Sequence, residues 1–100
     1  MQADYPPVFE RDMGCTEAEW LHWLPDVIGD HPWRREGTRL RVDFATGGRL
    51  ELAWTVASPL VIALIRLPRL LVQFRFDAVD DDRRYRFMKR FDLYMQRGGG

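Results

Sequence analysis

The residues of this chain best suited to chemistry are arginines. Fourteen of its fifteen basic residues are Arg, and Lys89 is the exception. Arg34, Arg35 and Arg39 crowd together in "DHPWRREGTR", directly after His31. A guanidinium presents a planar fork of donors that can hold a phosphate through two bonds at once. This cluster, with His31, is therefore the candidate site for a phosphate-containing small molecule such as a nucleotide or cyclic dinucleotide. A turn built by Gly29, Asp30 and Pro32, with Trp33 tucked into the core, explains the same stretch without a ligand.

Other chemistry is harder to find. Cys15 precedes a helix start, where a thiol pKa can fall, but no motif supplies a His, Asn or Asp partner. His22 and His31 have no companions at metal-ligand spacing. "VDDDRR" lacks the alternating frame of a calcium loop and reads as a helix start. No phosphate-binding glycine loop, nucleophile elbow or paired-carboxylate pattern appears. The sequence therefore predicts no catalytic residue, no cofactor and no metal.

Two stretches resemble known signatures. "DFATGG", Asp43 to Gly48, resembles the second half of the PilZ cyclic-di-GMP signature, Asp/Asn-x-Ser/Ala-x-x-Gly. Arg35 and Arg39 supply an R-x-x-x-R like its first half. The resemblance implies a cyclic dinucleotide gripped by those arginines. In PilZ domains, however, a longer segment separates the halves; here three residues lie between Arg39 and Asp43. The terminal Gly98, Gly99 and Gly100 resemble the tail that ubiquitin-like proteins and sulfur carriers present to an activating enzyme. In those folds the tail leaves a strand. Here it follows a helical stripe, and Gly98 suits the C′ position of that helix.

Composition bounds the class. One hundred residues, 46% hydrophobic and 30% charged, describe one small globular domain. Formal net charge is zero, which removes the simplest argument for nucleic acid or an anionic membrane. Seven acids against Arg11 in residues 1–30 balance the Arg-rich remainder. Arg in place of Lys fits the codon use of a GC-rich bacterial genome. A single Cys excludes an internal disulfide. The start lacks a signal-peptide pattern, and the longest uncharged run, Leu52 to Ile65, is too short to span a bilayer as a helix. A cytoplasmic protein is expected.

The elements follow from periodicity. Residues 1–14 read as an extended arm around Pro6-Pro7, and residues 15–100 as one α+β domain. "TEAE" is a capping box that opens a helix at Thr16. Trp20, Trp23, Leu24, Val27 and Ile28 form its buried stripe, and Pro25 predicts a break or kink. "TRLRVDF" and "GRLELAWTV" alternate as a hairpin. Pairing residues whose numbers sum to 92 sets Asp43 against Arg49 and Arg41 against Glu51, with Ala45-Thr46-Gly47 as the loop. "LVIALIRLPRLLVQFRFDAV" predicts two further strands that break near Arg66–Arg69. A last helix begins at Asp80–Asp82 and buries Phe87, Met88, Phe91, Tyr94 and Met95, with Arg84 at its rim. The expected fold is a four-stranded antiparallel meander with the N-terminal and C-terminal helices on one face, in the order α-β-β-β-β-α.

Two helices cover one face of such a sheet. The strand from Leu60 to Ile65 is apolar on both faces, which predicts a second apolar patch of Val61, Ala63, Ile65 and Leu71 on the open side. Tyr5 and Phe9 of the arm are added to it. The predicted function is a non-catalytic interaction module, pairing through this patch with a second copy of the chain or with another protein. The sheet aromatics Phe44, Trp54, Phe74 and Phe76 all fall on the helix side, which argues against RNA stacking on the open face.

Overall fold

The computed structural model describes residues 5–98. Seven elements follow in the order β1 (Val8–Met13), α1 (Glu17–Ile28), β2 (Trp33–Glu36), β3 (Arg39–Asp43), β4 (Arg49–Ile62), β5 (Ile65–Asp77) and α2 (Asp81–Gly98). The class is α+β, with an antiparallel sheet of five strands rather than four, ordered β1-β5-β4-β3-β2.

Both edge strands come from segments read as irregular. The arm pairs with β5, Val8 opposite Arg75 and Met13 opposite Leu70, so that Phe9, Arg11 and Met13 turn toward the helices. The "WRRE" stretch pairs with β3, Trp33 opposite Val42 and Glu36 opposite Arg39. Both runs are too short and too charged for period-two alternation to mark them. Conversely, the two strands expected over 49–65 are one: β4 runs unbroken for 14 residues. The chain reverses at Ala63-Leu64, not near Arg66–Arg69. Pro68 lies inside β5 and does not end it.

The core follows the predicted stripes. Thr16 Oγ1 accepts from the Glu19 amide at 3.1 Å, and Glu19 Oε1 accepts from the Thr16 amide at 2.9 Å, which closes the capping box. Helix α1 buries Trp20, Trp23, Leu24, Val27 and Ile28 and runs through Pro25 without a break. The Gly29 amide bonds Pro25 O at 3.0 Å, and the buried last turn holds the segment helical despite the missing Pro25 amide. Asp80 Oδ1 caps α2 through the Arg83 amide at 2.8 Å. Met88, Phe91 and Met95 of α2 meet Leu50, Leu52, Trp54, Val72 and Phe74 of the sheet in one cluster. Trp20 packs edge-on against both Trp54 and Phe91, which fixes both helices on the same face.

The β3–β4 register is the sum-92 pairing, with Leu40 opposite Leu52 and Asp43 opposite Arg49. Its loop closes with the Phe44 amide on Gly48 O at 3.0 Å. Gly47 and Gly48 both take positive φ, at 100° and 81°. Arg84 is not at the rim but buried, 7% exposed. Its guanidinium donates to Tyr5 O at 2.5 Å, to Val79 O at 2.9 Å and to Asp81. No helix of the described residues is long and apolar enough to cross a membrane.

Candidate docking arm and outer sheet face

The longest hairpin outruns the sheet. Pairing of β3 with β4 ends at Ala53, and pairing of β1 with β5 ends at Leu70. From Ala57 to Arg69, therefore, β4 and β5 have only each other as ladder partners among the described residues. At about 3.3 Å per residue this two-stranded arm reaches about 20 Å beyond the body. The longest dimension of the molecule is 47 Å.

The arm carries six of the ten large exposed hydrophobic residues of the described chain; Val8, Trp33, Val56 and Leu93 lie elsewhere. Leu60, Val61, Ile62, Ile65 and Leu67 are between 42% and 60% exposed, and Leu64 at the tip is 99% exposed. Ala63, in the turn, holds a left-handed φ of 53°, which costs a non-glycine residue about 1–2 kcal/mol. The tip is thus shaped by the ribbon and not by its own sequence preference.

A bulge sets which side chains share a face. Ala57 pairs with Arg69, but Leu60 pairs with Leu67, so Ser58 and Pro59 together oppose Pro68. Neither proline has an amide to donate, so the ladder loses little by skipping a rung there. The extra residue reverses the phase of β4. Strand β5 keeps its alternation, with Leu70, Val72, Phe74 and Phe76 buried toward the helices. Ile65 and Leu67 therefore face the open side, and their partners Ile62 and Leu60 join them. Val61 pairs with Arg66 on the opposite side.

This corrects the expected patch. Val61, Ala63, Ile65 and Leu71 do not form one surface: Val61 is on the other side, Ala63 is in the turn, and Leu71 is half-buried nearer the body. Unbroken alternation through Ser58-Pro59 would have grouped them; the bulge is what divides them. Tyr5 and Phe9 do not lie on the open face either. Tyr5 is 6% exposed in the core, and Phe9 stacks on Phe74 at 4.7 Å on the helix side. Strand β1 extends the sheet edge and leaves the open face uncovered.

The arginine cluster is divided as well. Arg35 sits opposite Leu40, on the helix side; its Nε donates to Gly37 O at 2.8 Å and its guanidinium lies 5.9 Å from the Trp54 ring. Arg34 sits opposite Arg41 and Arg39 opposite Glu36, both on the open face. There they line a shallow concavity of about 720 Å³ with Glu51, Gln73 and Arg75. Arg34 and Arg41 are like charges directly across a strand pair, a destabilising arrangement. Arg41 Nε meets Asp43 at 3.1 Å. Among the described residues, Arg34, Arg39 and Arg75 have no ion-pair partner.

His31 has a structural task. Its Nδ1 accepts from the Ala45 amide at 3.2 Å, and its ring packs edge-on against Phe44 at 4.9 Å. Trp33, expected in the core, is 43% exposed, because β2 is the outermost strand and the helices do not reach it. Cys15 is 3% exposed. Burial, and then the Glu19 carboxylate, push its thiol up from 9.0 to about 11, the reverse of activation. Among the described residues no group of three or more His, Cys, Asp or Glu is placed to hold a metal ion. Gly99 and Gly100 lie outside the described residues.

No protein-family model matches the chain, and neither a curated protein nor a solved structure matches it significantly.

Proposed function

We propose that the chain is a small cytoplasmic interaction module, without catalysis of its own, that self-associates through the β4–β5 arm. The observation that carries this reading is the exposure of Leu60, Val61, Ile62, Leu64, Ile65 and Leu67 on a ribbon with no third strand among the described residues. An isolated two-stranded ribbon is marginal in water, and large exposed apolar patches on soluble proteins mark interfaces. Burial and the raised pKa of Cys15, and the hydrogen bond that His31 Nδ1 accepts from the Ala45 amide, support the non-catalytic reading. Light scattering after size exclusion tests the reading: a mass above one chain is expected, and a single-chain mass at every soluble concentration overturns it.

A second reading rests on Arg34 facing Arg41 across the strands with no acid partner for Arg34 among the described residues. A phosphate-containing small molecule bound on the open face would relieve that repulsion through Arg34, Arg39 and Arg41. A thermal-shift panel of pyrophosphate, nucleotides and cyclic dinucleotides reads it. Stabilisation should vanish in Arg34→Ala and survive in Arg35→Ala, whose side chain is on the other face; no stabilisation by any member removes the reading.

A further inference from the structure

We infer that two copies of this chain meet arm to arm across a two-fold axis, with Leu60, Ile62, Ile65 and Leu67 of each packed on the same four residues of the other. The inference rests on the self-association reading above and specifies its surface and symmetry. These four side chains form two adjacent rungs, Leu60 with Leu67 and Ile62 with Ile65, on one side of the ribbon. All are aliphatic, and none of the four positions bears charge. Such a face is complementary to itself, which is what an isologous dimer contact needs. The opposite side carries Arg66 beside Val61 and is the poorer candidate for a dry contact.

Charge favours a second copy over other occupants. Leu60, Ile62, Ile65 and Leu67 are 42–60% exposed and together offer on the order of 400 Å², about half of the roughly 800 Å² per partner of a standard interface, so the contact is a small one. Formal net charge is zero, so two copies do not repel. Between Ala57 and Arg69 the only charged residues are Arg66 and Arg69, and Arg69 is bound to Asp12 at 2.7 Å. That leaves too little positive charge to grip a nucleic-acid backbone or anionic headgroups.

The bulge is the device that makes the face. Without the extra residue at Ser58-Pro59, β4 would place Val61 beside Ile65 and move Leu60 and Ile62 to the far side. With it, the four aliphatic residues coincide on the side that the helices leave open.

Single-cysteine crosslinking of the full chain, combined with sedimentation, tests the inference. Buried Cys15 supplies a quiet background. Ile62→Cys or Ile65→Cys should give a disulfide-linked dimer under mild oxidation, and Val61→Cys should give far less. Ile62→Asp and Ile65→Asp should each weaken association about 30-fold or more, as expected for a central contact residue. A dimer that survives both Asp variants, or that crosslinks best through Val61→Cys, overturns the arm-to-arm geometry while leaving self-association standing. A chain that stays monomeric removes both. Arm-dependent flotation of a monomer with phosphatidylcholine and phosphatidylglycerol vesicles would also overturn the inference, by assigning the arm to a lipid surface.

Discussion

Arg11 on β1 and Asp92 on α2 form a forked ion pair that ties the edge strand to the last helix. Arg11 Nη1 reaches Asp92 Oδ1, and Nη2 donates to Oδ2 at 3.1 Å. The Tyr5 hydroxyl donates to the same Oδ2 at 2.7 Å. The Arg11 guanidinium also lies 5.6 Å from the Tyr5 and Phe9 ring centres. The carboxylate therefore serves two donors from a segment that the sequence presents as a loose arm.

Replacing Asp92 leaves both donors half-buried without their acceptor. Asp92→Ala is expected to cost about 1–3 kcal/mol, more than an exposed ion pair would. Urea unfolding measures it. A double-mutant cycle with Arg11→Ala should return a coupling energy of at least about 0.5 kcal/mol, and additive losses would show that the two side chains are independent.

The β3–β4 loop gives a paired prediction on two adjacent glycines. Gly47 and Gly48 both have positive φ, but a Cβ on Gly47 would meet nothing, whereas one on Gly48 would lie 2.3 Å from Ala78 O. Gly47→Ala should therefore cost only the left-handed strain, about 1–2 kcal/mol. Gly48→Ala adds a backbone clash with the segment before α2 and should cost clearly more. Equal thermal midpoints for the two variants would contradict the close approach of Gly48 to Ala78.

Alkaline pH should loosen the fold through Cys15 and Tyr5. The folded Cys15 thiol titrates near 11 against 9.0 when free. The folded state thus holds its proton longer than the unfolded state does. The corresponding stability is complete below pH 9, falls as pH rises through about 11, and amounts to on the order of 2 kcal/mol. Tyr5 is raised from 10.0 in the same direction, first by burial and then by its bond to Asp92. Urea midpoints across that range should fall with pH, and Cys15→Ser should flatten part of the slope. At pH 8 the native thiol should resist a thiol reagent that labels the unfolded chain at once.

What the sequence made legible was whatever repeats with a period. The capping box, both helical stripes and the β3–β4 register rest on local spacing and on charges that must face each other, and they stand in the structure. Strands β1 and β2 were illegible because each is short and half or more charged, with three charged residues in six and in four, and β1 gains its ladder only from β5, far along the chain. The open-side patch was half legible. Its apolar content is plain from Leu60 to Leu67, but face assignment by alternation fails at a bulge, and only Pro59 and Pro68 hint that one sits there. The arginines misled for a related reason: neighbours in sequence, Arg34 and Arg35, become opposites once β2 is a strand.

Two residues five apart on β5 should separate folding from association. Leu70 at the root of the arm is fully buried, and Ile65 near its tip is 60% exposed. Leu70→Ala should lose about 2–5 kcal/mol through the cavity it leaves. Ile65→Asp removes no buried contact with the body, so its intrinsic stability should stay within about 0.5 kcal/mol of the parent. Its effect belongs to association instead. When folding is linked to self-association, the unfolding midpoint rises with protein concentration. The parent chain should show that rise, and Ile65→Asp should not. A concentration-independent midpoint for the parent, or an Ile65→Asp variant as unstable as Leu70→Ala, would mean that the arm serves the fold of its own chain and not a partner.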